Sequence, residues 1–212
     1  MISHIYFIRH AITEGNQKNW YYGQLDIPLA PEGFELIERL SGEGLYPPAN
    51  GADCYTTGLI RTEQTFKAIY GDIPHEQIKM LQEMNFGAWE GMSFEDIKAA
   101  DTYRDKFAEW MSLGPDDTDF TFPEGESMRG FHERIKVGTK ELVGKHRLKE
   151  LSCRHNGKDA VSIMVCHGGV IASIMESFFP GAKETFWAWT VHPGHGYRVT
   201  FENSDPTRFE EF

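Results

Sequence analysis

Two stretches decide the fold of this chain: IYFIRH at residues 5–10 and VSIMVCHGG at residues 161–169. Each begins with an apolar run that predicts a buried strand, and each strand ends in a histidine, His10 or His167. Ligands bind beyond the carboxyl ends of strands in open α/β sheets, so both histidines are expected where sites form. A single histidine at a strand end is more often satisfied by local hydrogen bonds. If the two strands are neighbours, however, the imidazoles face each other across one crevice.

The rest of the chain alternates between apolar runs and amphipathic stretches. Strands are predicted at 5–8, 52–56, 78–81, 161–165, 187–191 and 197–201. Helices are predicted after Pro31, from near Thr57, after Ser93, around Tyr103–Trp110, from Ser127 and from Val170. This alternation predicts an α/β protein, a three-layer α/β/α sandwich with a mostly parallel central sheet. Because the stretch 101–127 breaks the alternation, we expect one domain over 1–212 with a small helical cap inserted at about 93–127.

Composition narrows the possible partners and location. The 212 residues carry 21 basic and 32 acidic side chains, a formal charge of −11. A surface this negative repels phosphate backbones and anionic lipid, so neither nucleic acid nor a membrane is an expected partner. The three cysteines form no Cys-x-x-Cys pair, which favours a reducing compartment over a disulfide framework. With no signal peptide or membrane span predicted, the expected location is cytoplasmic, as a monomer or a homodimer.

Five ordered motifs surround the two histidines. They are RHAITEGN (9–16), GQLDIPL (23–29), TGLIRT (57–62), LQEMNFGAWEG (81–91) and VCHGG (165–169), with GES (125–127) as a further match. Together they resemble the signature of the histidine phosphatase superfamily, the phosphoglycerate-mutase-like group. The LQEMNFGAWEG stretch is most similar to that of small bacterial phosphatases of the α-ribazole-phosphate phosphatase type. Ala11 replaces a usual glycine and Thr57 a usual serine, and neither change removes a catalytic group.

The resemblance implies a metal-independent phosphomonoesterase that acts on small phosphate esters through a phosphohistidine intermediate. It makes His10 the nucleophile and Glu83 the general acid and base, and nearby Glu90 could compete with Glu83 for that role. Arg guanidinium presents paired donors to phosphate, which suits Arg9 and Arg61 to the phosphoryl oxygens. The residues implied to bind phosphate are Arg9, Asn16, Arg61, His167 and Gly168. No metal ion and no cofactor is expected.

Other interpretations stay open from the sequence. A phosphoglycerate mutase would share the catalytic residues, and a silent phospholigand-binding module would keep them without turnover. The string DTDFT (117–121) matches a haloacid-dehalogenase-type motif but follows no apolar strand, so we give it little weight. The acidic stretch 101–127 could cover the pocket mouth and repel a second phosphate, which would favour monophosphates with neutral or apolar leaving groups. It could equally form an outward, solvated face.

Overall fold

A six-stranded sheet forms the centre of the structure, a computed structural model that describes residues 2–113, 119–154 and 159–212. The strands are β1 (Ile2–Arg9), β2 (Trp20–Tyr21), β3 (Asp53–Thr56), β4 (Glu76–Gln77), β5 (Met92–Ser93), β6 (Ala160–Cys166), β7 (Gly196–Glu202) and β8 (Asp205–Glu211). The sheet order is β4-β3-β6-β1-β7-β8, while β2 pairs with β5 in a separate ribbon. Strands β1, β3, β4 and β6 are parallel, and β7 and β8 add an antiparallel hairpin. The predicted mostly parallel sheet is therefore confirmed.

Helices cover both faces of this sheet. They are α1 (Glu14–Gln17), α2 (Pro31–Gly42), α3 (Ile60–Tyr70), α4 (Phe94–Ala99), α5 (Arg104–Ser112), α6 (Met128–Arg154) and α7 (Gly168–Phe178). Alternation along β1 sends Phe7 into the core shared with α6 and α7, and Ile8 into the core shared with Phe66 of α3. Since successive strand residues point to opposite faces, this alternation produces the three layers. No helix within the described ranges is long and apolar enough to span a membrane.

The two histidine-bearing strands are direct neighbours. β1 and β6 pair in parallel, with Arg9 opposite Cys166 at the end of the register. The carboxyl ends of both strands therefore open at the same edge of the sheet, and the residue after each strand is a histidine. The expected crevice lies at this edge.

Two predicted strands are wrong. Residues 78–81 contain a 3₁₀ turn at Lys79–Leu81, and residues 187–191 begin inside another at Phe186–Trp189. Ile78 and Leu81 are both buried because residues three apart share one side of such a turn. The second turn also separates two tryptophans that a strand over 187–191 would place on one face: Trp189 is fully buried, whereas Trp187 is 50% exposed.

The start of one helix and the presence of one strand also differ from the sequence prediction. Helix α3 begins at Ile60 rather than near Thr57, because Gly58 takes a positive φ of 85° and Leu59 stays extended as the N-cap. Strand β8 was not predicted, since its sequence DPTRFEE is charged and contains a proline. As the last strand of the sheet it needs only one paired edge, which tolerates that composition.

The stretch between β5 and α6 contains two helices. Ser93 and Asp96 form a capping box at the start of α4, which begins after Ser93 as predicted. Helix α5 lies where a helix is predicted around Tyr103–Trp110, and it contains the apolar residues Phe107 and Trp110. Residues 114–118 lie outside the described ranges. They make up a third of the stretch that connects α5 to α6 and include Asp116 and the first two residues of the DTDFT motif.

Candidate active site

His10 is held in one orientation at the end of β1. Its backbone N–H donates to the Cys166 carbonyl at 2.9 Å, and its ring Nδ1 lies 2.8 Å from the Ala11 carbonyl oxygen. A carbonyl only accepts, so Nδ1 carries the proton and Nε2 keeps its lone pair. Burial, with Arg61 and Arg9 nearby, lowers the pKa of His10 well below its usual range. The ring is therefore a neutral imidazole at neutral pH.

His167 faces His10, with ring centroids 5.3 Å apart. Its Nε2 lies 2.9 Å from the Thr57 hydroxyl, while its Nδ1 is buried. Burial and the neighbouring Arg61 lower the pKa of His167 as well. We therefore expect the ring to be neutral until an anion beside it favours the charged form.

Both predicted arginines are deeply placed beside these rings. Arg9 Nη1 donates to the Val191 carbonyl at 2.6 Å. Arg61 is fully buried, and its guanidinium lies 5.1 Å from the centre of the Tyr22 ring. Two oppositely directed effects act on each: burial lowers the arginine pKa, and Tyr22 and Glu83 raise it.

Three buried nitrogen atoms in this group have no hydrogen-bond partner within the described protein. They are Arg9 Nε, Arg61 Nε and His167 Nδ1. Leaving a buried polar nitrogen unpaired costs about 1–3 kcal/mol, so folded proteins rarely keep several together. A phosphoryl group carries negative charge and several acceptor oxygens, so it could supply the hydrogen-bond partners that these nitrogens lack.

Glu83 lines the same crevice and is aimed by backbone groups. Its carboxylate accepts the N–H of Met84 and the N–H of Gly169, both at 3.0 Å. Burial raises the pKa of Glu83 despite these bonds and the nearby arginines. The segment that carries it is fixed by Arg134, which donates to the carbonyls of Gln82 at 2.8 Å and Glu83 at 3.2 Å.

Glu90 occupies a different environment from Glu83. Its carboxylate accepts backbone N–H groups from Gly23, Gln24, Leu25 and Phe86. It is absent from the walls of the crevice as the described residues form them. The geometry therefore gives Glu83, and not Glu90, access to a bound ligand.

Asn16 and Gly168 also line the crevice. The Asn16 Oδ1 accepts the Thr13 N–H at 3.0 Å, which leaves the amide NH₂ as its donor group. Gly168 opens α7, and a Cβ at this position would lie 3.3 Å from Arg9 Cζ. The absence of a side chain keeps the helix N-terminus close to the arginine. The structure thus brings all the sequence-predicted site residues to one edge of the sheet.

The crevice is a cleft of about 440 Å³ with aromatic walls. The aromatic residues that line it are Trp20, Tyr21, Tyr22, Phe86, Phe94 and Trp187. Sequence reasoning missed these walls, although the run Trp20-Tyr21-Tyr22 just after the first motif is an available signal. Tyr22 also lies beside His10, with the two ring centres 6.2 Å apart.

The acidic residues of 101–127 do not line the cleft, as far as the structure describes that stretch. The six described acids of 101–127 are Asp101, Asp105, Glu109, Asp119, Glu124 and Glu126, and none lines the cleft. Five are exposed, and Glu126 pairs with Arg134 at 2.8 Å. Within the described ranges, no group of three or more His, Cys, Asp or Glu side chains is arranged to hold a metal ion.

The fold and this site define a histidine phosphatase. The chain matches the sequence model of the Histidine phosphatase superfamily (branch 1) over residues 5–209, and it belongs to that family. Relatives that are named as phosphatases support phosphatase activity for this chain.

Individual relatives are distant but cover most of the chain. A candidate phosphoserine phosphatase of Hydrogenobacter thermophilus is 28% identical over 72% of this chain and 73% of its own length. The adenosylcobalamin/α-ribazole phosphatase of Escherichia coli is 24% identical over 90% of this chain and 86% of its own. Among solved structures, the α-ribazole phosphatase of Shigella flexneri superimposes with a TM-score of 0.74 at 22% identity, covering 96% of this chain and 93% of that one. This last likeness shows the shared fold.

Proposed function

We propose that the protein is a metal-independent phosphomonoesterase that hydrolyses small phosphate monoesters through a phosphohistidine on His10. The observation that carries this proposal is the trio of unpartnered nitrogens, Arg9 Nε, Arg61 Nε and His167 Nδ1, around a neutral, oriented imidazole. A phosphoryl group satisfies all three at once, and it supplies the negative charge that favours a protonated His167.

In the first step, His10 Nε2 attacks phosphorus. A phosphorus–nitrogen bond forms as the bond between phosphorus and the ester oxygen breaks. Glu83, whose pKa is raised, gives its proton to the departing oxygen so that an alcohol leaves. Arg9, Arg61 and His167 stabilise the charge spread over the remaining phosphoryl oxygens.

In the second step, water replaces the imidazole. The Glu83 carboxylate now takes a proton from the attacking water, and the phosphorus–nitrogen bond breaks. Inorganic phosphate leaves, and both His10 and Glu83 return to their starting protonation states. One carboxyl group therefore acts first as an acid and then as a base.

The aromatic walls support a leaving group that is apolar or aromatic. Six aromatic side chains line the cleft, and Arg9 is the one Lys or Arg among the described lining residues. A second phosphate would find few partners there, which favours monophosphates over bisphosphates. We propose α-ribazole phosphate or a similar metabolite as the substrate, on this ground and on the likeness to α-ribazole phosphatases.

The segment 93–127 is proposed to act as a cap. Phe94 contributes to the cleft wall, and the ring centre of Trp110 lies 6.3 Å from that of Trp187, which also lines the cleft. A cytoplasmic location is also proposed, supported by the free thiols of Cys54, Cys153 and Cys166. The main alternatives are a phosphoglycerate mutase and a phospholigand-binding module without turnover.

Phosphate release from a panel of esters tests the proposal. The panel contains an aryl monophosphate, an alkyl monophosphate, phosphoserine, 3-phosphoglycerate and 2,3-bisphosphoglycerate, each with and without EDTA. We expect release that survives EDTA and is fastest with the aryl ester. Preference for the bisphosphate with isomerisation of 3-phosphoglycerate would support the mutase, and binding without release would support the silent module. Loss of activity on chelation with recovery on adding Mg²⁺ would overturn the metal-independent mechanism.

A further inference from the structure

Glu90 uses its carboxylate to fix a loop. Both oxygens accept from the Gly23 N–H, at 2.9 and 3.1 Å, and the N–H groups of Gln24 and Leu25 follow at 3.0 Å each. The Phe86 N–H adds a further bond at 2.9 Å. A carboxylate with this many backbone donors is engaged on all sides, so it is poorly placed to pass a proton to a ligand.

The other side of the same loop holds Arg61. Arg61 Nη2 donates to the Gly23 carbonyl at 2.6 Å, and Nη1 donates to the Leu25 carbonyl at 3.1 Å. Residues 23–25 thus lie between two opposite charges, with their N–H groups on the carboxylate and two of their carbonyls on the guanidinium. Once both Nη atoms are bound in this way, Arg61 Nε is left as the unpartnered donor.

The loop is also packed against the segment that carries Glu83. A Cβ on Gly23 would lie 1.6 Å from the Met84 carbonyl oxygen, so only glycine permits this approach. Gln24 Nε2 donates to the Glu83 carbonyl at 3.0 Å. Any shift of residues 23–25 therefore moves Arg61 relative to Glu83.

We infer that Glu90 is a positioning residue that sets Arg61 for the phosphoryl group by holding residues 23–25. It acts through Arg61 rather than on the substrate, and this inference rests on the proposed phosphate-binding role of Arg61. Charge is part of the arrangement, since the Glu90 carboxylate favours the charged form of the buried guanidinium. The role of Glu90 is then geometric and electrostatic, in contrast to the proton transfer assigned to Glu83.

Binding of inorganic phosphate, measured by calorimetry, tests this without turnover. The variant is Glu90→Gln, and the matched control is Glu35→Gln at an exposed position on α2. We expect about tenfold weaker phosphate binding or more for Glu90→Gln, the usual effect of losing a hydrogen-bonded charge, and no change for Glu35→Gln. In the Arg61→Ala background, Glu90→Gln should add less than about threefold, because the two residues act as one unit.

Kinetics separate positioning from acid catalysis. Glu90→Gln should raise KM and reduce kcat/KM by the same factor for an aryl and an alkyl monophosphate. A loss that is much larger for the alkyl ester would make Glu90 the acid and overturn the inference. So would full additivity with Arg61→Ala, or unchanged phosphate affinity.

Folding is checked for each variant by circular dichroism. If Glu90→Gln is unfolded, Glu90→Asp, which keeps the charge on a shorter side chain, takes its place with the same expected weakening. Unfolding of both would contradict the inference, because Glu90 would then act on overall stability. Failure of the wild-type protein to release phosphate from any ester would contradict the proposed function, while the calorimetric result would still test Glu90.

Discussion

The two ends of the central sheet bury polar groups in opposite ways. At the carboxyl ends of β1 and β6, three buried nitrogens of Arg9, Arg61 and His167 have no partner within the described protein. At the amino ends of the same strands, His146 and Glu150 of α6 are just as buried, yet their polar atoms are paired. The same strands thus lead from a satisfied polar network to an unsatisfied one.

Proton positions in the amino-end network follow from its contacts. Ser3 and Ser204 donate to the Glu150 carboxylate at 2.6 and 2.5 Å. Because the Ser3 proton is used there, its oxygen accepts from His146 Nε2–H at 2.9 Å. His146 Nδ1 then accepts from the Ser162 hydroxyl at 2.9 Å. Each of these polar atoms is therefore paired.

The difference separates what stabilises the molecule from what it does. A satisfied buried network holds α6 against the starts of β1 and β6, and its polar atoms need no ligand as a partner. Unpartnered buried donors reduce stability, and they persist where a ligand supplies the missing partners. We call the carboxyl ends of β1 and β6 the carboxyl edge and their amino ends the amino edge. Changes at the carboxyl edge should accordingly alter rates and ligand binding, whereas changes at the amino edge should alter the free energy of unfolding.

The largest expected effect is at the carboxyl edge. Glu83→Gln should reduce kcat/KM for an alkyl monophosphate by about a thousandfold, because the alcohol then leaves without a proton. For p-nitrophenyl phosphate, whose leaving group departs as a stable anion, the loss should stay within about tenfold. Steady-state kinetics on the two esters measures the contrast, and equal losses for both would remove Glu83 as the acid.

The pH profile sharpens this result. Glu83 donates its proton from the neutral form, and its pKa is raised by burial. With the alkyl ester, wild-type kcat should therefore fall as the pH rises through that raised pKa. The limb should be missing from Glu83→Gln. A limb that remains unchanged in the variant would have to come from another group.

The next effect concerns pH and the amino edge. Burial lowers the pKa of His146 to about 4 from its ordinary value of 6.5. Between these values the unfolded chain binds a proton that the native protein excludes, so the free energy of unfolding falls as the pH falls. The contribution is fully present above pH 6.5, and about 3 kcal/mol is lost by pH 4.

Urea unfolding at pH 7 and pH 4.5 measures this contribution. Between pH 7 and pH 4.5, the free energy of unfolding of His146→Gln should fall by about 2 kcal/mol less than that of wild type. Its kcat/KM at pH 7 should match wild type. An identical pH dependence in the two proteins would show that His146 is not a buried neutral imidazole.

A somewhat smaller effect is expected for the carboxylate of the same network. Glu150→Ala removes the acceptor of two hydroxyl groups and should reduce the free energy of unfolding by about 2 kcal/mol, with kcat/KM unchanged. Urea unfolding checks the first part, and Glu141→Ala, at an exposed position on the same helix, is the control. A loss of activity without a loss of stability would reverse the roles of the two edges.

The smallest effect is expected at Thr57, which orients His167. Thr57→Val removes the hydroxyl 2.9 Å from His167 Nε2 and should reduce kcat/KM about tenfold. Thr57→Ser keeps the hydroxyl and should restore most of the rate. If Thr57→Val and Thr57→Ser behave alike, the hydroxyl does not orient the ring.

The carboxyl edge is the more predictable of the two from sequence. An apolar run that ends in a histidine predicts both the strand and the position of the side chain at its carboxyl end. His10 and His167 are therefore expected to meet if their strands are neighbours, and the pairing of β1 with β6 supplies that condition. The roles of Glu83 and Glu90 cannot be separated from sequence, because both lie in the same motif, 81–91. Only the folded structure shows the backbone N–H groups that surround the Glu90 carboxylate. The contribution of Trp187 to the aromatic walls was missed because it lies on a 3₁₀ turn whose apolar residues resemble those of a strand.

The amino-edge network is invisible to sequence reasoning. Ser3, His146, Ser162 and Ser204 are scattered along the chain, and none forms a local motif. Their contacts arise because α6 crosses the starts of β1 and β6, which only tertiary packing determines. Strand β8 was missed for a related reason, since its pairing with β7 matters more than its own charged sequence.

Trapping the phosphorylated enzyme tests the central claim most directly. Wild-type protein is mixed with a ³²P-labelled monophosphate, denatured rapidly, and its label is followed after acid and alkali treatment. We predict a label on His10 that acid removes and alkali preserves, absent from His10→Ala and retained in His146→Gln. His10→Ala should also lose at least about 4 kcal/mol of transition-state stabilisation, about a thousandfold in rate. A label that persists in His10→Ala, or turnover at the wild-type rate in that variant, would contradict the account.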